Sequence, residues 1–307
     1  MNLNRLKDAK PDAVRHAVFM LFALAAAALM YGPLACLFRS PLERDYHSLI
    51  LAIPFISLYL LYLIRKDGRK GAAYRFSAGI PVALVGLVLY AASRSLGTGL
   101  NQNDFATVQT FSAWVVILVG FISAYGMRAF RVALFPLLFL VLMVPFPAFV
   151  MEEIITFLQV GSTEFTNLLL TASGVPFVRD GFVFHLPVIS VEVAKACSGI
   201  RSGLALFITA LLAGHLFLRT GWKKAVLVLC VLPITMFKNG IRIVTLTLLG
   251  VYVDPRILQS DLHREGGIPF FIVALLMLAP VLYFLRKSEG KDGKKPFPGI
   301  KFTKQEN

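Results

Sequence analysis

Charged residues and cysteines are scarce in this chain, and each scarcity excludes a class of protein. Only 16% of the 307 residues are charged, while 57% are hydrophobic, against about 45–50% in a soluble domain. Three cysteines, Cys36, Cys197 and Cys230, are too few and too scattered for a disulfide framework. Histidines and carboxylates lack the spacing of metal ligands, so no metal site and no cofactor are predicted.

The excess of basic residues does not indicate a nucleic-acid partner. The net charge is +14, but Lys and Arg fall in short clusters between apolar runs. Patches of basic residues interleaved with aromatics, typical of nucleic-acid binders, are absent. Clusters between apolar runs are instead the pattern that orients membrane proteins, so membrane lipids are the predicted surroundings.

Long apolar runs predict an all-α polytopic membrane protein with about eight transmembrane helices, since one span needs roughly 20 apolar residues. The mean hydropathy is +0.73. The predicted spans cover residues 14–38, 48–64, 77–93, 107–126, 130–148, 199–218, 224–252 and 268–286. The seventh contains Pro233 and Gly240, which predict either a kinked helix or a span followed by a short second helix.

The basic clusters also predict the orientation of the chain. They lie before the first span, after the second, fourth and sixth, and in the tail, which is one side if the spans alternate. Basic loops face the cytoplasm. We therefore expect a multi-pass protein of the cytoplasmic (inner) membrane with both termini in the cytoplasm. Segments 149–198 and 253–267 are then extracytoplasmic, and the first apolar run is too long for a cleavable signal peptide.

Segment 149–198 contains the only predicted strands. Residues 152–173 have helical periodicity but are too polar to span a membrane. After them the period changes to two, in "GFVFHLPVISVEVAKAC", and Arg179-Asp180-Gly181 predicts a turn. A small extracytoplasmic helix followed by a short β-hairpin therefore leads to Cys197.

Cys197 stands where the strands end and an apolar helix begins. The pattern places Cys197 or Ser198 near the helix N-cap, where free backbone N–H groups and the helix dipole favour a thiolate. Arg201 adds positive charge one turn on. Spacing alone fits a reactive thiol and a small residue at a helix start equally well.

Partners for a reactive thiol lie at two other span ends on the same predicted face. Lys238, Asn239 and Arg242 lie in or beside the seventh apolar run, where an arginine is costly unless it faces a polar site or snorkels to the interface. His263 precedes the eighth span, although a loop histidine is more often simply solvated. His185 and His47 are its rivals on that face.

The motifs "EVAKACSGIRS" and "KNGIRI", together with His263 in "HREGG", resemble those of the exosortase/archaeosortase family. The resemblance covers about residues 105–286, including "GVPFVRDG" before the cysteine. It divides the chain into N-terminal spans 1–3 (1–104), an exosortase-like catalytic core (105–286) and a basic, disordered cytoplasmic tail (287–307).

The resemblance implies a membrane cysteine transpeptidase. Its catalytic residues would be the nucleophile Cys197, the arginine Arg242 and the histidine His263. Its substrates would be secreted proteins with a C-terminal motif such as Pro-Glu-Pro, a transmembrane helix and a basic cluster, and the acceptor would be a lipid, a glycan or water. The supporting or substrate-binding residues would be Asn239, Arg201 and Ser198.

Three other functions stay open on the sequence. A transporter or channel would place ionisable residues in the middle of its spans, whereas the charges here cluster at the ends. A non-catalytic component of exopolysaccharide or protein export would not need Cys197. A thiol-dependent membrane acyltransferase would modify a free N-terminal cysteine rather than cleave a C-terminal signal.

Overall fold

The computed structural model describes residues 3–39, 44–68, 91, 101–254, 256 and 267–289, and these are mostly helical. Within these described ranges, five helices are long and apolar enough to cross a membrane, and a broken pair would make a sixth. The predicted total of eight is not confirmed, and the third predicted span lies almost wholly outside the described residues. The five helices are Ala13–Gly32, Gln102–Val132, Lys195–Phe217, Gly221–Tyr252 and Gly267–Lys287.

The described chain forms two compact units that meet in sequence at Ala148 and Phe149. In its described residues, the first unit has helices and turns but no strand. It contains α1 (Leu3–Arg39), α2 (Arg44–Gly68), α3 (Gln102–Val132), α4 (Leu134–Phe139) and a 3-10 turn (Leu140–Met143). In α2 the described apolar stretch, Leu51–Arg65, is shorter than a typical span. The domain boundaries expected from the family resemblance stay predictions.

The prediction of one continuous span over 130–148 was wrong. The helical path ends at Met143, and residues 144–147 have no helical structure. Pro145 and Pro147 explain the break, because proline lacks the N–H of a helical hydrogen bond and disfavours helix in the residue before it. Asn103 donates from its side-chain amide to the carbonyl of Phe146 at 2.7 Å, which holds this turn against the start of α3.

The second unit contains α5 (Ala148–Ser173), a three-stranded sheet, a 3-10 turn (Lys195–Cys197), α6 (Ile200–Phe217), α7 (Gly221–Leu229), α8 (Val231–Tyr252) and α9 (Gly267–Lys287). The predicted helix 152–173 is present and begins four residues earlier. The seventh apolar segment forms α7 and α8, which are separated at Cys230 and together make one candidate span, Gly221–Tyr252. The break lies before Pro233 and Gly240, and the short helix precedes the longer one instead of following it. α9 buries Ala274 and Leu278 and exposes larger apolar residues, as a helix facing lipid would.

The predicted short strands are present and form an antiparallel meander. β1 (Val178–Asp180) pairs with β2 (Val183–His185), and β2 pairs with β3 (Ser190–Glu192). Gly181 provides the turn with a φ of +56°, a conformation that favours glycine. Alternation buries Phe184 completely among residues of α5 and α8, and these contacts anchor the sheet beside the start of α6.

Two glycines let α5 and α8 approach closely. A Cβ atom on Gly240 would lie 3.0 Å from the Cβ of Phe165 and 3.2 Å from the Thr166 backbone nitrogen. A Cβ atom on Gly161 would overlap the side chain of Met236. Small residues at helix contacts allow backbones to approach, which compensates for the weak hydrophobic driving force between helices in lipid.

Candidate active site

Cys197 lies in the short connection between the sheet and α6. It ends the 3-10 turn, with its backbone N–H bonded to the Ala194 carbonyl at 2.8 Å. The N-cap of α6 is Gly199, so Ser198 and Cys197 lie one and two residues before it, near the N-cap as predicted. The Cys197 thiol is therefore next to the helix entry and partly exposed.

Two features favour glycine at position 199: the backbone conformation there and the close packing of Asn239 against it. The φ of Gly199 is +83°, in the left-handed region that other residues adopt at a cost. A Cβ atom there would also lie 3.2 Å from both Cγ and Oδ1 of Asn239, which is tighter than ordinary van der Waals contact. The peptide next to Cys197 thus packs directly against α8.

Asn239 joins the cysteine to two helices. Its side chain is fully buried, and its Nδ2 donates to the Cys197 carbonyl at 2.6 Å and to Ser162 Oγ at 3.1 Å. Asn239, predicted to be a supporting residue, makes its hydrogen bonds in the described residues to the cysteine backbone and to α5. Asn239 Oδ1 is buried without a hydrogen-bond partner there.

Lys238, the residue before Asn239, binds the first turn of α6, on the C-terminal side of Gly199. Its side chain is only 2% exposed, and its Nζ donates to Ser202 Oγ at 2.5 Å. The Ser202 hydroxyl donates in turn to the Gly199 carbonyl at 3.0 Å. Adjacent residues of α8 therefore bind the chain on both sides of Gly199.

Arg242 follows Asn239 by three residues on α8, so the two side chains share one face of the helix. That face carries the hydrogen bond to Cys197. Arg242 therefore lies one turn along α8 from Asn239, the residue that binds the backbone carbonyl of Cys197. Its side chain is partly buried, as expected for a guanidinium at a polar site within a span.

The other candidate residues occupy distinct surroundings. Ser198 is fully buried, and its hydroxyl has no hydrogen-bond partner in the described part of the chain. Arg201 is exposed on the first turn of α6. His263 lies outside the described residues, as does the side chain of His47. His185 is on β2, where its Nδ1 is 2.9 Å from Ser190 Oγ.

A polar stripe on α5 supports the whole connection. Gln159 and Ser162 are one turn apart and buried, and Gln159 Nε2 donates to the Val193 carbonyl at 2.7 Å. Ser162 accepts from Asn239. The stripe thus binds the chain directly at Val193, just after β3. It is also linked to the Cys197 carbonyl through Asn239 of α8. Its remaining members, Thr163 and Thr166, bond to the carbonyls of their own helix.

Two ion pairs tie the sheet and the 3-10 turn to α5. Arg179 on β1 forms a two-pronged contact with Glu164, at 2.8 and 3.2 Å. This hydrogen bonding raises the pKa of Arg179, which is charged at any physiological pH. Lys195 pairs with Glu152 at 2.8 Å, immediately before the cysteine. Both pairs are substantially exposed, so each contributes little stability and mainly fixes position.

The sequence singled out Lys238 without giving it a specific role, and it gave no indication of Ser162, Ser202 or Gln159. A lysine within an apolar run was a usable signal, because a buried cation in a span is rarely retained without a function. The serines and the glutamine carried no comparable signal. Their importance depends on which helix faces meet.

The geometry provides a partly exposed thiol whose backbone is fixed by three helices. A nucleophile of this kind needs a base or acid and a group that stabilises negative charge. Among the described residues, the guanidinium of Arg242 is a candidate for the second group, and it lies one turn from Asn239 on α8. Among the described residues no cluster of His, Cys, Asp and Glu could hold a metal ion.

The chain matches a known family of membrane proteins over most of its length. The sequence model described as "Transmembrane exosortase (Exosortase_EpsH)" matches residues 42–280. The matched range contains Cys197, Asn239, Arg242 and His263. It begins earlier than the range 105–286 over which the motifs resemble the family. Neither the curated proteins nor the solved structures give a match.

Proposed function

The chain belongs to the transmembrane exosortase family, and on that premise we propose that it is a membrane cysteine transpeptidase. Its substrates are secreted proteins that end in a short motif such as Pro-Glu-Pro, a transmembrane helix and a basic cluster. The observation that carries the proposal is the fixed position of Cys197, whose carbonyl accepts the 2.6 Å bond from buried Asn239. A nucleophile held this way loses little entropy when it meets a substrate.

The first half of the reaction transfers an acyl group to sulfur. The Cys197 thiolate attacks the scissile carbonyl, and the tetrahedral intermediate carries an oxyanion. Arg242 stabilises that oxyanion or orients the scissile peptide. The C–N bond then breaks, and the His263 imidazolium gives its proton to the leaving amine. The products are a thioacyl enzyme and the released transmembrane signal.

The second half transfers the acyl group to an acceptor, which is a lipid amine, a glycan or water. Neutral His263 now takes a proton from the acceptor nucleophile, which attacks the thioester carbonyl. The C–S bond breaks, and the Cys197 thiolate is restored. The reaction needs no cofactor, since each proton removed in one half is returned in the other.

Recognition of the motif involves the first turn of α6. Arg201 is exposed there, four residues after Cys197, and it binds the acidic residue of the motif. A purely interfacial role for Arg201 is the competing interpretation, which Arg201→Gln separates: loss of processing of an acidic motif, but not of a neutral one, supports binding. Ser198, fully buried beside the nucleophile, serves to support the turn.

The reaction takes place at the outer face of the cytoplasmic membrane, with both termini in the cytoplasm. The support is the clustering of Lys and Arg on one side of the alternating spans. A membrane-impermeant maleimide applied to intact cells tests this orientation. Labelling of Cys197 from outside is expected, and labelling only after lysis contradicts it.

The function is tested by co-expressing the full chain with a secreted protein that carries the tripartite signal. Processing is followed as a gel shift. Cys197→Ala and Arg242→Ala are expected to abolish it, while the matched control Cys230→Ala, which removes the other described free cysteine, retains it. His263→Ala is expected to slow turnover and accumulate a substrate–enzyme thioester.

Two outcomes reject the proposal. A substrate that stays unprocessed beside well-expressed intact enzyme argues against transpeptidation. Processing that survives Cys197→Ala assigns the chain a non-catalytic role in export.

A further inference from the structure

A cavity of about 290 Å³ lies within the first unit, between α1, α2 and α3. Its wall is mainly apolar, and Phe19, Leu58 and Phe121 represent the three helices. The volume is at the lower end of the range for small-molecule sites in proteins. None of the residues that line it contributes to the candidate active site, so a ligand of this cavity is independent of the proposed function.

The polar groups of the cavity gather at one set of helix ends. Arg15 and His16 lie at the start of the apolar stretch of α1, and Arg65 ends the apolar stretch of α2. The last turn of α3, through Ala133, completes this end of the wall. The start of α1, the end of α2 and the end of α3 are the helix ends that the basic clusters place at the cytoplasmic surface. The cavity therefore has an apolar interior and a cationic mouth at the edge of the membrane.

Aromatic contacts hold the mouth in a defined shape. The Arg65 guanidinium lies 3.5 Å from the centre of the Tyr62 ring, and its Nη1 donates to the Tyr62 carbonyl at 3.1 Å. His16 Nδ1 is 2.7 Å from Tyr125 Oη. Stacking and backbone bonding reduce the freedom that an arginine would lose on binding a ligand.

The described residues that line the cavity include two arginines and no acidic residue. An arginine fork matches the oxygens of a phosphate group. The cation of a zwitterionic headgroup would meet no carboxylate from this lining. The basic cluster that follows a substrate's signal helix would be repelled by Arg15 and Arg65, so the substrate is a poor fit to this mouth.

We propose that this cavity binds one acidic phospholipid from the cytoplasmic leaflet. The phosphate lies between Arg15 and Arg65, and an acyl chain lies along Phe19, Leu58 and Phe121. Basic pockets between transmembrane helices on the cytoplasmic side are general sites for anionic headgroups. The bound lipid joins α1 and α2 to α3 and stabilises the first unit.

The test measures the melting temperature of the full chain in a neutral detergent. Phosphatidylglycerol, phosphatidylcholine with the same acyl chains and inorganic phosphate are added separately. At a lipid concentration near 100 times Kd, phosphatidylglycerol is expected to raise Tm by about 5 °C or more. Phosphatidylcholine and inorganic phosphate are expected to give much smaller shifts.

Variants of cavity residues test whether the rise in Tm comes from phosphatidylglycerol bound in the cavity. Arg15→Gln and Arg65→Gln are each expected to weaken phosphatidylglycerol binding about ten-fold, since a charge-assisted hydrogen bond is lost. The matched control is Arg128→Gln, which removes an exposed arginine from the same end of α3 but not from the cavity wall. It is expected to keep the full shift. Leu58→Trp leaves every charge in place and is expected to reduce binding by occupying the space of the chain.

A second readout does not depend on the stability of any variant. Native mass spectrometry of the wild-type chain is expected to retain one phosphatidylglycerol after delipidation. The proposal is overturned if the two phospholipids shift Tm equally, if inorganic phosphate alone reproduces the shift, or if Arg128→Gln loses as much as Arg65→Gln. Absence of a retained lipid likewise counts against it.

Discussion

The side-chain amide of Asn239 donates to the backbone carbonyl of Cys197 over 2.6 Å, so α8 fixes the main chain at the candidate nucleophile. The partners are 42 residues apart in sequence. Because the amide also donates to Ser162, a single side chain connects α5, α8 and the entry to α6. The behaviour of this connection can be tested separately from the chemistry at sulfur.

Replacing Asn239 by Ala should damage both stability and activity. The change leaves the Cys197 carbonyl and the Ser162 hydroxyl without this donor in a buried place, at a cost of about 1–3 kcal/mol. We expect a lower Tm in detergent and slower processing of a signal-bearing substrate. The matched control is Asn167→Ala on α5, whose side chain is partly exposed and whose loss should cost less than about 0.5 kcal/mol. Equal effects of the two changes would contradict the assignment.

Gly199→Ala should be costly because the methyl group meets two obstacles. A φ of +83° costs a non-glycine residue about 1–2 kcal/mol, and the new Cβ would lie 3.2 Å from Asn239. We expect lower stability and loss of processing. At Gly221 a Cβ atom meets nothing within 4 Å, so Gly221→Ala should be neutral or slightly stabilising.

Combining Gly199→Ala with Asn239→Ala separates the two obstacles at Gly199. The second change removes the crowding but not the backbone strain. We expect the double variant to lose less stability than the sum of the singles, because residues in contact are not additive. Strict additivity would show that the close approach of Gly199 and Asn239 has no energetic weight.

Lys238→Met should separate stability from activity. Lys238 is almost fully buried, and its one polar contact in the described chain is with the Ser202 hydroxyl. Replacing a buried charge with an apolar side chain of similar size is often neutral or stabilising. We expect an unchanged or higher Tm together with slower processing, because the bond to the first turn of α6 is lost. Lys224→Met, on α7, is the control and should leave processing intact. A variant with lower Tm and normal processing would refute a functional role.

Glu289 should make stability depend on acid pH. Burial raises the pKa of its carboxyl, but hydrogen bonds from Thr220 and Arg219 and the charge of Lys223 together lower it more, so the pKa lies below the ordinary value of 4.5. A lowered folded-state pKa stabilises the protein above pH 4.5, and this contribution is lost as pH falls through the folded pKa. Glu289→Gln should therefore lower Tm at pH 7 and have less effect at pH 3. The exposed Glu153→Gln is the control, and an identical pH profile for both would disprove the linkage.

The sequence predicted local structure well where side-chain periodicity determines it. The alternation at Phe182, Phe184 and Leu186 predicted strands, and β2 is found there because Phe184 must be buried. The predicted span over 130–148 is interrupted in the structure. The prediction relied on hydropathy and did not take account of Pro145 and Pro147. A run can be apolar enough to cross a membrane and still be unable to continue as a helix.

The candidate site was less predictable, and the reason is tertiary. Cys197 and Arg242 could be proposed from motifs, but Lys238 and Ser162 acquire their contacts only when α8 packs against α6 and α5. Gly240 permits the close approach to α5, yet a glycine within an apolar run indicates a close contact without naming the partner. The bond from Asn239 to Cys197 is likewise invisible until two distant segments are placed side by side.

The polar stripe of α5 has a consequence for biogenesis. Gln159 and Ser162 cannot face hydrocarbon cheaply, and the groups that satisfy them are synthesised 34 and 77 residues later. Val193, the partner of Gln159, precedes α6, but Asn239, the partner of Ser162, follows α7. While the ribosome is still making α6 and α7, α5 must therefore keep Ser162 in the headgroup region or against water. It can settle only after α8 leaves the translocon. The connection that holds Cys197 is thus completed only when α8 has packed against α5, late in the synthesis of the second unit.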